Sequence, residues 1–495
     1  MKNMIKYAGF VLAAGLLSSC EDFLTEDPQS IYTTDIFYTS QSDIEYAVSA
    51  IYAAQQDAYD GQYGMFRFLS ARSDDTNSVN TNMYDNGAAI FIDNANVEAT
   101  EQMWKYMYQI ISRANTLLTH IDAIEFTNAD LKKYIKGEAY ALRGWAFYNL
   151  GTWFGGVPLT IDKEYTVEEA RETGRSTQEE TFNQAASDYA DAIGLLPDSW
   201  DANNVGRVTK YAAEAALGRL YMFTGDYTKA KEHLWNVIDS DLYDMADTYE
   251  QCFAGAYDNF PERVWEVQYI GGLQNEGQTF SESCMPENYQ PQVGETKWAY
   301  FNGSSAAMQV STNLLSSYEP NDKRKDVTAV TGITIAGVVN EYSWFIKFSV
   351  PGSLPLSSTD WDVNLPIIRY TDVLMMYAEA VNQLSGPTQE AIDIINDVRE
   401  RAGLANLSSN ATSSREAFQE AIEKERRAEF AFEGLRWHDL VRWGKAVDVM
   451  NKFFKDSDEG NGLYSCKEHQ IIFAIPQEEI NRYGDEKKMY QNPGY

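Results

Sequence analysis

The sequence predicts a mainly α-helical protein in which tetratricopeptide-like helical repeats form a scaffold that carries an insert of loops and short strands. Apolar residues recur with helical period over about 40–250 and 366–455 of the 495 residues. One stretch in the first range has the spacing of a helix-turn-helix repeat. The region from about 255 to 365 lacks helical period and is rich in Gly, Ser, Thr, Asn and aromatic residues. This composition predicts the insert.

The amino terminus has the layout of a bacterial lipoprotein signal. Lys2 and Lys6 precede an apolar run, YAGFVLAAGLLSS, that ends at Cys20. The run is shorter than the roughly 20 apolar residues that a membrane-spanning helix needs. Residues 17–20, Leu-Ser-Ser-Cys, resemble a lipobox, in which the Cys is lipidated and becomes the first mature residue.

We therefore expect residues 1–19 to be a signal peptide and residues 20–495 to form one domain, tethered to the outer membrane through the lipid on Cys20. One acyl chain anchors a protein only marginally, so stable anchoring requires more than one. The acidic pair Glu21 and Asp22 directly after the Cys favours display on the cell exterior.

Amphipathic helices are predicted throughout the scaffold. Three of their starts carry capping-box pairs, namely Ser42 with Glu45, Thr177 with Glu180, and Ser413 with Glu416. The predicted helices cover roughly 42–59, 101–122, 129–153, 177–195, 210–224, 227–239, 370–384, 388–402, 414–432 and 437–454.

The stretch AALGRLYMFTGDYTKAKEHL has tetratricopeptide spacing. Its pattern positions are Gly218, Tyr221, Gly225, Tyr227, Ala230 and Leu234. Small residues on facing sides let two antiparallel helices approach closely, and Gly225 turns the chain between them. A weaker echo is GPTQEAIDIINDV at 386–398. Such repeats need stacked neighbours to bury their faces, and a plain helical hairpin remains the alternative for each.

Short strands are predicted in the insert and near the carboxyl terminus. RVWEVQY, GITIAGVV and YSWFIKF have β-branched and aromatic residues in short runs, and IIFAIP near the end is a further candidate. A loop-and-strand region this long inside a helical protein is more often functional than a mere connection.

Composition excludes several classes of function. The net charge of −33 repels nucleic acid, so no nucleic-acid partner is expected. Once Cys20 is lipidated, three widely spaced cysteines remain, and the four histidines include no close pair. No metal site or cofactor is therefore predicted. The run DSDEGNG at 456–462 resembles a calcium loop, but no Glu stands at its twelfth position, and we interpret it as a turn.

Several motifs resemble the SusD/RagB family, the surface lipoproteins of nutrient-uptake systems. The segments occur in the order of the family and, with Cys20, span nearly the whole chain. They are EAYALRGWAFYNLGTWFGGVPL (138–159), LPIIRYTDVLMMYAEAVNQL (365–384), INDVRERAGL (395–404), ERRAEFAFEGLRWHDLVRWGKA (425–446), AIPQEEI (474–480) and the tail MYQNPGY.

The resemblance implies a lid over a SusC-like TonB-dependent transporter that captures an oligosaccharide or polysaccharide for import without cleaving it. The charged motif residues are interpreted as architectural. Glu425, Arg426, Arg427 and Glu429 are expected to form helix ion pairs, and Arg369 is expected to pair with Asp372.

A sugar site needs aromatic platforms with Asp, Asn and Arg at their edges, and each aromatic contact contributes on the order of 1 kcal/mol. Two polar, aromatic zones qualify, at 71–86 and 287–303. The candidate ligand-binding residues are Asp74, Asp75, Asn77, Tyr84, Tyr289, Trp298, Tyr300 and Trp344. Trp298 is the preferred platform because its neighbours are polar, although loop packing is the ordinary role of any one of these aromatics.

Three other functions remain open. A lid of the same type that binds peptides would also use Tyr and Trp. A glycan-active enzyme would need two carboxylates that flank the scissile bond, and no such pair or other catalytic motif is evident. A tetratricopeptide scaffold that binds only proteins would bind the transporter and no small ligand.

Overall fold

The structure is a computed structural model. It describes residues 37–60, 64–77, 87, 89–272, 276–284, 292–293, 296–297, 308–332, 334–335, 338–339, 342–349, 360–456 and 463–495. The predicted signal and Cys20 lie outside the described residues. Among those described, no helix combines the length and hydrophobicity that crossing a bilayer requires.

Helices make up most of the described chain, which confirms the predicted fold class. In chain order they are α1 (Gln41–Asp60), α2 (Met65–Ala71), α3 (Glu98–His120), α4 (Ala129–Phe154), α5 (Val167–Glu172), α6 (Gln178–Leu195), α7 (Lys210–Thr224), α8 (Tyr227–Ile238), α9 (Phe280–Ser283), α10 (Thr312–Ser317), α11 (Arg324–Thr328), α12 (Tyr370–Ser385), α13 (Gln389–Arg401), α14 (Arg415–Phe430), α15 (Arg436–Arg442), α16 (Ala446–Asp456) and α17 (Gln477–Tyr483).

Most of the long helices pack against a helix that is close to them in chain order. Helix α3 lies between α1 and α4, α4 packs on α6, and α7 packs on both α6 and α8. Helix α12 continues the stack by packing on α8 and on α13. The buried side chains of these helices form one continuous apolar core. A smaller cluster around Phe91, Trp437 and Met450 lies beneath α15 and α16.

The predicted repeat is the hairpin of α7 and α8. A Cβ atom added at Gly218 would lie 2.7 Å from Leu234 Cγ, so only glycine permits this approach of the two helices. Ala230 is fully buried on the facing side. Gly225 ends α7 in the left-handed conformation with φ of 81°. The weaker echo forms the second hairpin, α12 and α13.

Helix ends differ from the predictions at three places. The predicted helix 437–454 is two helices, because Gly444 has φ of 66° and interrupts it. The pair of Thr177 and Glu180 forms the predicted capping box, but the cap of α14 is Ser414 rather than Ser413. At α1 the carboxylate of Asp43 accepts the backbone hydrogen bonds of the preceding turn.

Short antiparallel strands occupy the insert. In chain order they are β1 (Thr76–Asn77), β2 (Arg263–Val267), β3 (Gln292–Val293), β4 (Thr296–Lys297), β5 (Gln309–Val310), β6 (Ala329–Thr331), β7 (Thr334–Ile335), β8 (Val338–Val339), β9 (Ser343–Phe345) and β10 (Leu365–Arg369).

The four-stranded sheet has the order β1-β5-β9-β6, and β10 pairs with β2, β3 with β4, and β7 with β8. The three strand predictions in the insert are thus confirmed as β2, β7 with β8, and β9. The candidate IIFAIP is wrong, since it continues from a short 3-10 helix (Glu468–Ile471) as irregular chain. Its buried Phe473 donates its backbone N–H to Trp153 rather than to a strand.

Candidate functional site

The four-stranded sheet brings the first predicted binding zone together with Trp344, another predicted ligand-binding residue. Strand β1 directly follows Asp74 and Asp75, and its Asn77 lies opposite Gln309 of β5. Gln309 in turn lies opposite Trp344 of β9. Residues that face each other across antiparallel strands share one face of the sheet, with Cβ atoms about 4.5–5.5 Å apart. Asn77, Gln309 and Trp344 therefore form a row across that face.

The register also fixes where the chain enters and leaves this sheet. Asn77 ends β1 and Gln309 begins β5, so their antiparallel pairing puts both positions at the same end. The chain continues from there into 78–86 and arrives there from 298–307, which lie outside the described residues. Four predicted ligand-binding residues lie outside them as well: Tyr84, Tyr289, Trp298 and Tyr300.

Asp74 and Asp75 are buried, and they fix the start of β1 to the helical scaffold. Arg436 donates to both carboxylate oxygens of Asp74, at 2.8 and 3.0 Å, and Arg427 donates to Asp75 Oδ1 at 2.8 Å. Burial opposes ionisation of Asp74, but Arg427 and Arg436 hold its pKa below the ordinary value. Burial raises the pKa of Asp75. Both acids thus have a structural role, and their contact with ligand stays a prediction.

Three buried polar atoms around the row have no hydrogen-bond partner within the described part of the chain. They are Oδ2 of Asp75, Oε1 of Gln309 and Nε1 of Trp344. A buried polar atom without a partner costs about 1–3 kcal/mol, so such atoms mark places where a ligand or water is expected. Trp344 is only 6% exposed, so its ring is not an open platform, and its indole N–H is the group that a ligand would use.

A buried lysine fastens the far side of the sheet to the scaffold. Lys347, two residues after β9, donates 2.6 Å to Glu433 Oε1 and 3.0 Å to the carbonyl oxygens of Glu429 and Ala431. Burial lowers the pKa of Lys347 to about 8, although Glu433 opposes this shift. The sheet is therefore held at its edge strand β1, by Asp74 and Asp75, and after its interior strand β9, by Lys347.

The prediction that Arg369 pairs with Asp372 is wrong. Arg369 is the centre of a buried group of carboxylates, with Glu262 and Glu429 at 2.8 and 3.0 Å from Nη1 and Glu433 at 2.8 Å from Nε. Asp372 instead accepts from Arg426 at 2.7 Å and from Arg219. Arg369 ends β10 and Asp372 lies in the first turn of α12, and they reach different residues of α14, Glu429 and Arg426.

The four motif residues of α14 named above do form ion pairs, as predicted, but with other elements rather than along the helix. Glu425 pairs with Arg399, Arg426 with Asp439, Arg427 with Asp75, and Glu429 with Arg401, at distances of 2.6–2.9 Å. Helix α14 is thus the element to which α13, α15, β1 and β10 are fastened.

Sequence reasoning missed Lys347, Glu433 and Glu262 as members of this network. Two signals were available. Lys347 interrupts the apolar run YSWFIKF, and a lysine at such a place is rarely fully buried unless it is paired. Glu433 lies in the turn after α14, directly before Gly434. Its side chain is buried, with 5% of the residue exposed. The partners of each residue are far away in the sequence, so spacing alone does not give them.

No group of three or more His, Cys, Asp or Glu side chains that could hold a metal ion occurs within the described ranges. The calcium-like run 456–462 lies outside these ranges except for Asp456, and its interpretation as a turn stays a prediction. Cys252 and Cys466 are buried thiols, and burial raises the pKa of each to about 12.

Comparison with known sequences gives two family matches. Residues 338–495 match the model described as the SusD family, and residues 22–222 match one described as "Starch-binding associating with outer membrane". The SusD-like protein P38 of Formosa agariphila is 27% identical over 478 residues, which cover 89% of this chain and 91% of the relative.

Solved structures share the fold. A laminarin-binding SusD-like protein superposes with a TM-score of 0.77 at 24% identity, covering 92% of this chain and all of that one. The surface glycan-binding protein A of Bacteroides thetaiotaomicron, solved in complex with laminarihexaose, gives a TM-score of 0.77 at 21% identity over 92% of this chain and all of its own.

Proposed function

Because this chain belongs to the SusD/RagB family, we propose that it is a cell-surface glycan-binding lipoprotein that acts as the lid of a SusC-like TonB-dependent transporter. In this role it captures an oligosaccharide for import and does not cleave it. The lipid on Cys20 tethers the lid to the outer membrane, so that it faces the exterior and stays beside the transporter when it opens.

The single observation that carries the proposal is the row of Asn77, Gln309 and Trp344, in which a residue of the first zone lies on the same sheet face as Trp344. Asn77 is the last residue of β1 and Gln309 the first of β5, and their pairing forms one junction in the described part of the sheet. The unpartnered atoms of Asp75, Gln309 and Trp344 lie beside this junction. Together they offer two acceptors and one donor, which is the chemistry that sugar hydroxyl groups satisfy.

Binding is favoured over hydrolysis by the state of the acids near the junction. A glycosidase needs one carboxyl group that can donate a proton and a second, free carboxylate. Both oxygens of Asp74 are taken by arginine, which keeps its pKa low and removes it as a proton donor. Asp75 has one oxygen in an ion pair and one free, which suits a hydrogen bond to ligand.

Calorimetry on the full chain in detergent tests this proposal. The first panel consists of laminarin, laminarihexaose and starch, because these are the ligands named for the similar proteins and the matching family. The second panel is a set of peptides. Trp298→Ala is compared with Trp235→Ala, which removes a 41% exposed tryptophan from helix α8. We expect one glycan class to bind and Trp298→Ala to weaken it by about fivefold, the equivalent of one aromatic contact.

Each other outcome assigns a different function. Binding of peptides alone would keep the lid and change what it carries. Release of shorter sugars from a bound glycan would show an enzyme. Binding to the transporter with no small ligand in either panel would show a protein-binding scaffold. Equal loss in Trp298→Ala and Trp235→Ala would remove Trp298 from the site.

A further inference from the structure

A second groove lies on the helical scaffold, between α3, α5 and α17. Its volume is about 420 Å³, within the range of small-molecule sites. None of its lining residues belongs to the four-stranded sheet or to the two binding zones. The groove is therefore separate from the site proposed above.

Aromatic side chains form its walls, and their hydroxyl groups are fixed. Tyr108 donates to the carbonyl oxygen of Pro158 at 2.8 Å, and Tyr483 donates to that of Ala170 at 3.2 Å. Trp104 lies beside Tyr108, with ring centroids 5.1 Å apart. Because the hydroxyl groups already have partners, the rings are held in place and offer their apolar surfaces to the groove. Rigid rings suit binding, since little side-chain freedom is lost.

The floor of the groove is also rigid. The side chain of Asn115 donates to the carbonyl oxygen of Thr160 at 2.8 Å and accepts from Arg143 at 2.7 Å. Arg143 is itself held by Asp188 through two hydrogen bonds, at 2.9 and 2.6 Å. This chain of buried contacts ties α3, α4 and α6 beneath the groove.

Polar side chains along the groove keep unused hydrogen-bonding capacity. Among the described residues, the amide of Gln109, the hydroxyl of Ser112 and the guanidinium of Arg171 have no hydrogen bond or ion pair to another side chain or to the backbone. The other two cations of the groove are compensated, since Arg482 pairs with Glu479 at 2.7 Å and Lys105 with Glu101 at 2.5 Å. Arg171 thus carries an uncompensated positive charge in a chain whose net charge is −33.

We propose that this groove is a second carbohydrate site, specific for an acidic sugar. The ring of the sugar packs on the wall of Tyr108, Tyr165 and Tyr483. Its carboxylate or sulfate is bound by Arg171, and its hydroxyl groups are bound by Gln109 and Ser112. Guanidinium is the side chain best suited to such anions, because its planar donors match two oxygens at once.

The inference goes beyond the proposed function, because that function concerns capture at the sheet and leaves the charge of the glycan open. A second site that takes acidic sugars would let the protein hold a charged chain at two points. Linking two contacts in this way raises the overall affinity through the effective concentration of the second contact.

The test is calorimetry on the full chain with three probes of similar length: a hexasaccharide of galacturonic acid, a sulfated carrageenan oligosaccharide, and neutral laminarihexaose. The variant is Arg171→Gln, with Arg415→Gln as the control. Arg415 is also exposed, and its side chain likewise has no partner among the described residues. Arg171→Gln is expected to keep the melting temperature of the parent, because it breaks no contact.

We expect at least one acidic probe to bind. Its affinity should fall by about tenfold in Arg171→Gln, as the loss of a charged hydrogen bond predicts. Binding should fall with added salt, and Arg415→Gln should match the parent. The carboxylate and sulfate probes distinguish which anion is preferred. Laminarihexaose should be unaffected by Arg171→Gln, and Trp298→Ala should leave the acidic probe bound at the groove.

The inference is overturned if neither acidic probe binds, or if Arg171→Gln and Arg415→Gln weaken binding equally. It is also overturned if Trp298→Ala abolishes binding of the acidic probe while Arg171→Gln does not, because the probe then occupies the other site. Loss of laminarihexaose binding in Trp298→Ala, with binding of the acidic probe retained and dependent on Arg171, supports the groove. Retained neutral binding with no acidic binding supports the site at the sheet alone.

Discussion

Asp60 closes helix α1, and its carboxylate accepts backbone hydrogen bonds from Thr279 and, at 3.2 Å, from Phe280. Burial raises the pKa of Asp60 to about 7, although these hydrogen bonds oppose the shift. The folded state therefore binds a proton at pH values where the unfolded chain, with an ordinary pKa near 3.8, has lost it. The contribution of Asp60 to the free energy of unfolding is present in full below about pH 4 and is lost as the pH rises through about 7.

We predict that Asp60→Asn removes this dependence, because the amide cannot ionise and its oxygen can still accept from both backbone groups. The stability of the variant relative to the parent should rise between pH 4.5 and pH 7.5 by about 2–4 kcal/mol, from about 1.4 kcal/mol per unit of pKa shift. Urea unfolding of both proteins at the two pH values measures the change. A constant difference across this range would show that Asp60 is not proton-coupled to folding.

The contacts of individual residues were predictable only where both partners lie close together in the sequence. The row of Asn77, Gln309 and Trp344 depends on strand pairing between positions 232 and 35 residues apart, which a single sequence does not display. Asp74 and Asp75 have the composition of a ligand loop, yet their arginines come from α14 and α15. Buried ion pairs of this kind have no fixed spacing in the sequence, so their partners could not be assigned in advance.

At the scale of elements, helix existence followed from apolar period, capping residues and glycine positions. The α7–α8 hairpin was predictable in detail because its contacts are local, with Gly218 and Leu234 only 16 positions apart. The break between α15 and α16 was missed, since the apolar period continues through Gly444 and only its left-handed backbone stops the helix. The pairing of the short strands was missed for the opposite reason, because long-range partners determine it.

We predict that Gly218→Ala destabilises the protein by about 1–3 kcal/mol, because the new Cβ overlaps Leu234 in a packed interface. Leu234→Ala alone should cost about 2–5 kcal/mol through a cavity. In the double variant the new methyl group fills part of that cavity, so the sum of the two single effects should exceed the effect of the pair. Chemical unfolding of the three variants gives this coupling energy.

Gly194→Ala in α6 is the matched control, because nothing lies within 4 Å of an added Cβ there. It should be neutral or stabilising by up to about 1 kcal/mol through helix propensity. If Gly218→Ala behaved like this control, close packing would not be the reason for glycine in the hairpin.

At the scale of the whole molecule, the carboxyl-terminal tail connects elements that are far apart in the chain. The side chain of Asn492 donates to the carbonyl oxygen of Phe154, at the end of α4, and to that of Phe473. Its own oxygen accepts from Arg175 at 2.9 Å. The tail motif was predictable from family resemblance. Its role as a clamp, which holds distant segments together through Asn492, was not predictable because the partners are far away in the sequence.

We predict that Asn492→Ala lowers the free energy of unfolding by about 1–3 kcal/mol, because it leaves the buried carbonyl oxygen of Phe473 without a partner. Phe154 and Arg175 each lose one hydrogen bond but keep others. Asn481→Ala is the control, since Asn481 is exposed on α17 and should change stability by no more than about 0.5 kcal/mol. Hydrogen exchange should be faster at the backbone N–H of Phe473, which donates to the carbonyl oxygen of Trp153, in Asn492→Ala but not in the control.

The second groove includes Tyr483 and Arg482 of the same carboxyl-terminal region. A loosened tail should therefore also weaken binding of the acidic sugar there, while laminarihexaose binding is kept. Unchanged exchange and stability in Asn492→Ala would mean that the tail is held by its apolar contacts and that the asparagine is not the clamp.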